Sequence, residues 1–354
     1  MDSQQNIQKA RTLVMQYGWN TMAYQILNPG ISLWFNGRRD AVVGYVSTRT
    51  HVIVAGSPIA AGELLDDTAA EFVRFVSAQH KKVCFFGAQE RIAAILSRSA
   101  PVSSILLGAQ PVWAPDELLR TIQTKRSLRA QLHRAVNKSV TAELWNEHSR
   151  IPIQALRSCL QEWIDTRALP PMHFLVEPDT LGQLDDRIVM IARNKERVTA
   201  FCIASPIPLR NGWLIEQIVR GINTPNGTVE LLLHSMTAHL HDRGAALVTL
   251  GLSPLSQHAV MPGSDPLWLR TVLRATRSYG LAFYNFEGLD AFKTKFLPAA
   301  WEPVYAVTNE TAPTPSTLYA IATAFSVISP IRFVFKGVLK MIIQTASARN
   351  MPTK

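Results

Sequence analysis

Cysteine is scarce: Cys84, Cys159 and Cys202 are the three in 354 residues, with no C-x-x-C and no histidine pair at metal spacing. A disulfide framework and a structural zinc site are both disfavoured. The thiols, two of them inside apolar strand-like runs, read as buried groups in a reducing cytoplasm. No stretch of about 18 uninterrupted apolar residues occurs, so a confident spanning helix is not expected. The N-terminus MDSQQNIQKARTLVMQYGW carries an early acid and lacks an apolar core of signal length, which excludes a signal peptide. Acids are outnumbered: 26 Asp and Glu against 36 Lys and Arg give a formal charge of +10. Net charge speaks to partners rather than to fold. It implies a polyanion, either nucleic acid or an anionic membrane surface, with plain solubility as the alternative. What the chain does have is 47% apolar residues and 18% charged ones. That excludes a disordered chain, and the length suits two domains with a substantial core.

Residues 4–18 read as a helix, followed by strands near 31–35, 40–47 and 50–55 with the hairpin signal Asn36-Gly37 between the first two. A helix over 62–80 has Leu64, Ala69, Phe72, Val73 and Val76 at helical spacing, then come the buried strand KKVCFFGA and a helix over 89–98. The stretch 116–140 reads as one helix with Arg120, Lys125, Arg126, Arg129, Arg134 and Lys138, and no acid from Leu118 to Ala142. A second unit repeats the order: strands over 187–193, 197–206 and 212–219, a helix from Thr228 (its cap) to Arg243 stopped by Gly244, the strand ALVTLGLSPLS ending in a loop, a helix over 264–279 and the strand LAFYNF. The expected fold is α/β (α+β) with two similar units in tandem, 1–140 and 141–310, each a mixed, mostly antiparallel sheet flanked by helices. A tail helix over 316–346 follows, split by Pro330, with Arg332, Lys336 and Lys340 on one face. Such a helix reads as an interfacial membrane anchor, or as one docked on the protein's own core or on a second subunit.

Four constellations carry chemistry. Asn226, Gly227 and Thr228 lie where a strand meets a helix, a place that favours an anion. Acetyltransferases of the GNAT class hold the coenzyme A pyrophosphate there, but the usual Q/R-x-x-G-x-G/A spacing is missing, and a plain capped helix is the alternative. In FKTKF, Lys293 and Lys295 alternate with Phe292 and Phe296, so an extended segment would turn both ammonium groups to one side, toward a phosphate or carboxylate. Glu216 and Arg220, with Trp213, share one strand face at a spacing of four and suit either substrate positioning or a structural ion pair. The fourth is the basic tail. His173 and His234 read as packed or surface histidines, and Ser253 and Ser256 lack a nucleophile-elbow context.

The segments AYQILNPGISLWF, VAGSPI, LRAQLHRAVNKSV, LPPMHFLVE, GWLIEQIVR, TPNGTVELLLHSM, VTLGLSPLS and YNFEGLDAFKTKFLPAAWEPVY occur in an order and spacing that resemble the soluble catalytic region of the phosphatidylglycerol lysyltransferase and alanyltransferase family, from about Tyr17 to Tyr305. The resemblance implies two tandem GNAT-like domains. It also implies transfer of an aminoacyl group from aminoacyl-tRNA to the glycerol hydroxyl of phosphatidylglycerol, at the inner face of the cytoplasmic membrane. The donor ester is already activated, so no cofactor or metal is expected. Lys293 and Lys295 match the family's FK-x-KF segment, and Arg220 matches the arginine that ends its strand. Glu216, Arg220, Lys293, Lys295 and Tyr284 are the candidate catalytic residues. Trp213, Gln217, Asn226, Gly227, Thr228, Arg126 and Arg129 are the candidate binding residues, the last two for the tRNA backbone. The chain departs from the family in two ways. Many members have an acid three residues before the arginine, where this chain has Gln217; either Glu216 beside it serves through a bulge, or the amine-recognition role has changed. Large members also carry a many-helix membrane domain before the catalytic region and this chain has none, which implies a stand-alone form tethered by its tail. The alternative is an N- or O-acyltransferase taking its acyl group from an acyl carrier protein or acyl-CoA.

Overall fold

The computed structural model describes residues 3–98, 101–167, 172–259, 268 and 286–326. Tyr284, the helix expected over 264–279, the strand LAFYNF and the tail beyond residue 326 lie outside them.

Helix α1 (Ser3–Tyr17) leads into a short 3-10 turn at Tyr24–Leu27 and three antiparallel strands, β1 (Ser32–Phe35), β2 (Val42–Ser47) and β3 (His51–Ala55). Helix α2 (Leu65–Ser77) then crosses over to β4 (Lys82–Ala88), which pairs with β3 in parallel. Buried Leu65, Ala69, Phe72 and Val76 of α2 lie at helical spacing and pack on the sheet. Helix α3 (Glu90–Leu96), β5 (Ser103–Trp113), α4 (Pro115–Thr124), α5 (Arg126–Asn137), β6 (Val140–Trp145) and α6 (Ile153–Asp165) follow. The pattern then recurs: antiparallel β7 (Ile188–Asn194), β8 (Arg197–Ile207) and β9 (Gly212–Arg220), helix α7 (Thr228–Asp242), and β10 (Leu247–Thr249) parallel to β9. Each half thus contains a run of three antiparallel strands, a crossover helix and a parallel strand. The last described elements are β11 (Ser253–Pro254), α8 (Phe286–Thr294), β12 (Ala300–Thr308) and α9 (Pro315–Ser326).

All twelve strands form one mixed sheet in the order β1-β2-β3-β4-β12-β5-β10-β9-β8-β7-β6, with β11 on β5. Strand β12, from the far end of the chain, lies between β4 and β5. Helices α4, α5 and α7 cover one face of the second half, and α6 packs on strands of that half in a separate core. Helix α9 packs into the core of the first half through Ala320, Ala324 and Phe325, so the beginning of the expected tail helix docks on the protein itself. No helix among the described residues is long and apolar enough to cross a membrane.

Two expectations are corrected. The basic stretch is two helices: Lys125 leaves helical geometry (ψ 115°) and extends its ammonium to the Lys295 carbonyl, 2.7 Å away. Gly227 rather than Thr228 caps α7, because the Thr228 hydroxyl donates back to the Pro225 carbonyl. The three cysteines are buried free thiols, and loss of hydration pushes Cys84 up to about 12 and Cys159 to about 11.

Candidate active site

The two halves differ where their parallel strands end. Strands β3 and β4 stay paired over His51–Ala55, and the Gly56 N–H continues the ladder to the Phe86 carbonyl. Strands β9 and β10 pair only from Gly212 to Leu214. Beyond that point β9 runs on beside β8 to Arg220, while the chain after Thr249 turns away to lay Ser253 against Ala109 of β5. The two strands therefore part, where a sheet would ordinarily keep them in contact. Among the described residues this parting occurs in the second half alone.

On the β9 side a β-bulge sits at Glu216. Ile203 faces Gln217 and Ala204 faces Ile215, which leaves Glu216 as the extra residue. Ile215 and Ile218, three apart, therefore pack in the same core beneath α7, with Trp213 beside them. This overturns the expectation that Glu216 and Arg220 share a face. Glu216 is buried against Arg187, whose Nε lies 2.5 Å from its Oε1 with the arginine side chain fully enclosed. Gln25 donates to the other carboxylate oxygen (2.7 Å) and to Ser205, and the Arg187 guanidinium also donates to Asn28 and to the Gln183 carbonyl. Arg220 is exposed and donates to the Thr224 carbonyl at 3.0 Å and to Asn226 Oδ1 at 3.4 Å, bracing the loop before α7. Gln217 donates to the Pro178 carbonyl and accepts from Thr180, so its amide ties β9 to the preceding loop.

On the β10 side stands Lys293. The FKTKF segment is the end of a helix, not a strand, and this corrects the expected alternation. Phe292 and Phe296, four apart, meet edge to face in the core beneath α7, and Trp113 donates to the Phe296 carbonyl. Lys293 is turned inward and is 3% exposed. Its Nζ donates to the Gly251 and Leu252 carbonyls, both at 2.9 Å, at the point where the chain leaves β10. Burial lowers its pKa to about 7, against a small opposing pull from Asp290. A neutral amine has two N–H groups and one lone pair, so two carbonyls satisfy its donors and leave the lone pair free. Lys295 goes elsewhere: it lies over the rings of Phe292 (4.1 Å) and Phe296 (4.9 Å) and pairs with Glu230 of α7 at 2.7 Å. The two lysines do not converge on one anion. Two buried polar atoms nearby in sequence, Ser253 Oγ and Asp290 Oδ1, have no hydrogen-bond partner.

Helix α5 lies across the start of α7. Gly227 has φ +92°, and a Cβ there would stand 1.9 Å from the Gln131 carbonyl oxygen of α5. Gly227→Ala should therefore destabilise the protein by about 2 kcal/mol or more through strain plus displacement of α5. A denaturation midpoint within error of wild type would show that α5 shifts freely. Arg126 and Arg129 are exposed on the outer side of α5.

Arg187, Gln25 and Asn28 were not singled out from the sequence. Arg187 follows two aspartates in an apparent turn, and Gln25 reaches Glu216 across 191 positions, so no local pattern marks them. Among the described residues no cluster of three His, Cys, Asp or Glu is arranged to hold a metal.

Residues 11–308 match the family described as phosphatidylglycerol lysyltransferase, C-terminal. The phosphatidylglycerol lysyltransferase of Staphylococcus aureus (strain MRSA252) is 22% identical over 308 residues, 85% of this chain and 36% of that protein. This chain thus spans about a third of the length of that curated relative. Two solved structures share the fold. One is the C-terminal domain (DUF2156) of a protein assigned as a lysylphosphatidylglycerol synthetase from Agrobacterium fabrum, with TM-score 0.77, 20% identity, and 92% and 98% of the two chains covered. The other is L-PGS from Bacillus licheniformis, with TM-score 0.74, 18% identity, and 94% and 95% covered.

Proposed function

From the premise that this chain belongs to the family of phosphatidylglycerol lysyltransferase C-terminal regions, we propose that it transfers an aminoacyl group from aminoacyl-tRNA to a hydroxyl of phosphatidylglycerol or a related anionic lipid at the cytoplasmic membrane surface. The observation that carries this reading is the parting of β9 and β10 beyond Leu214, with the buried amine of Lys293 held on the carbonyls where the chain leaves β10. The reaction exchanges one ester for another. The lipid hydroxyl oxygen forms a bond to the aminoacyl carbonyl carbon, the bond from that carbon to the ribose oxygen breaks, and the proton passes from the attacking oxygen to the leaving one. No external energy source enters. Holding the two substrates together supplies much of the rate, and a group able to accept and return a proton near neutrality supplies more. Lys293, with a free lone pair when neutral, has that chemistry. Glu216 is locked to Arg187 and Gln25 at the bulge of β9. Arg220, Asn226 and Gly227 shape the loop that α5 rests on.

The alternative donor, acyl-CoA, is disfavoured by packing. The α5 backbone packs against the start of α7, with the Gln131 carbonyl oxygen 1.9 Å from where a Gly227 Cβ would stand. An acyl carrier protein remains compatible with the net charge of +10. The positive charge of α5 suits a tRNA backbone, with Arg126 and Arg129 as contacts. Reversing both to glutamate should weaken tRNA binding and flatten the slope of log K against log salt by about 2. An unchanged slope would leave α5 a solvated face.

The deciding experiment supplies the purified protein with labelled aminoacyl-tRNA and phosphatidylglycerol vesicles and analyses the lipids by mass spectrometry. The expected product is heavier by one amino-acid residue and carries a free amine. A lipid heavier by a fatty acyl chain, formed only with an acylated carrier protein, would establish the alternative. No lipid product under either condition would overturn both.

A further inference from the structure

Close to Lys293 along α8 is a feature that the proposed chemistry does not use. The imidazole of His258 lies on the indole of Trp301, with ring centroids 4.2 Å apart and planes within 9° of parallel. Trp301 is half-buried on β12, opposite Pro111 of β5, and His258 is exposed, so the histidine is the outer ring of the pair. Its position is fixed twice: the His258 N–H donates to Ser256 Oγ at 3.1 Å, and Nε2 lies 3.0 Å from Thr294 Oγ1. Thr294 is the residue after Lys293. The next residue, Lys295, accepts at its carbonyl the ammonium of Lys125, which stands at the head of basic helix α5. A basic helix, an aromatic stack and a buried amine are thus joined through three consecutive residues, Lys293, Thr294 and Lys295.

This arrangement suits the end of a single-stranded nucleic acid. Cations follow its phosphates, and a flat ring takes its terminal base by stacking, which needs no particular base edge. A glycerophospholipid has no planar group to place there. Resting on the aminoacyl-tRNA reading above, we propose that the His258–Trp301 stack is the platform for the terminal nucleobase of the RNA donor. In such a donor the ester is carried on the ribose of that same nucleotide. A base stacked on His258 stands beside Thr294, the residue after Lys293.

The probe is the RNA tetranucleotide ACCA with 2-aminopurine replacing its 3′ base, since this fluorophore is quenched when stacked. Titration with the full chain should quench it. His258→Ala and Trp301→Leu should each weaken binding about ten-fold and abolish most of the quenching. His258→Phe keeps a stacking ring but loses the bond to Thr294, and should bind and quench like wild type. In transfer assays the His258→Ala variant should show a raised KM for aminoacyl-tRNA, restored in His258→Phe. Unchanged affinity and quenching in His258→Ala would overturn the platform even if wild type transfers from aminoacyl-tRNA. The same holds if His258→Phe fails like alanine, because the histidine would then act through its hydrogen bond. A wild type that makes no lipid product from aminoacyl-tRNA would instead overturn the donor reading and remove the platform's ligand with it.

Discussion

Replacing Lys293 with methionine should lower aminoacyl transfer by about 10²- to 10⁴-fold while removing a pH dependence from the protein's stability. The sign follows from the burial of the amine. In the unfolded chain a lysine titrates near 10.5, and in the folded protein loss of hydration lowers Lys293 to about 7. Between those values the unfolded chain binds the proton and the folded one does not, so stability rises with pH across that window. Below about pH 7 the folded state must hold an ammonium with two carbonyl partners in a place closed to water, and the penalty is present in full. Methionine has a similar length and no charge, so the variant should lose this slope. It should gain stability relative to wild type as the pH falls, even though two carbonyls lose a donor. Denaturant titrations of both proteins between pH 6 and 9.5 would test this. Parallel pH profiles would mean that the amine is hydrated in solution. Transfer by wild type should rise with pH through about 7 if the neutral amine takes the proton from the attacking hydroxyl. Full activity in the methionine variant would remove Lys293 from the mechanism.

The second large effect is expected at the buried pair Arg187–Glu216. Arg187→Met should destabilise the fold by about 3–5 kcal/mol, because Glu216 would keep a buried carboxylate with Gln25 as its remaining partner. Asn28 and the Gln183 carbonyl would each lose a donor as well. Glu216→Gln in the Arg187→Met background should recover a good part of that loss, since the orphaned charge is then gone. Urea midpoints of the two single variants and the double variant form the cycle that isolates the pair. A loss under about 1 kcal/mol in Arg187→Met would mean that water enters and hydrates Glu216, in which case the carboxylate is available to a substrate amine.

Much of the scaffold was legible locally. Strands β1 to β4 and β7 to β9 are short apolar runs set off by turns such as Asn36-Gly37, and α2 and α7 show helical spacing against Gly or polar stops. The pairs Glu216–Arg220 and Lys293–Lys295 depart from the expected geometry for a common reason. Unbroken strand periodicity holds in neither, because a bulge inserts one residue into β9 and a helix end replaces the expected strand in FKTKF. Strands β5 and β12 were not read as strands. Pro111 and Pro303 interrupt their patterns, and β12 finds its partners 188 or more positions back along the chain.

The sequence by itself determined the family, the alternation of strands and helices in two similar runs, the burial of the cysteines and the basic character of α5. These are properties of residue type and spacing within a window of a few turns. Tertiary structure alone decided that β9 and β10 part while β3 and β4 remain paired. It also decided that Glu216 is held by Arg187 and Gln25, that Lys293 is enclosed while Lys295 pairs with Glu230, and that His258 lies on Trp301. Each of these depends on which distant backbone passes within a few ångströms, and on whether water can follow it there. Local periodicity carries no record of either.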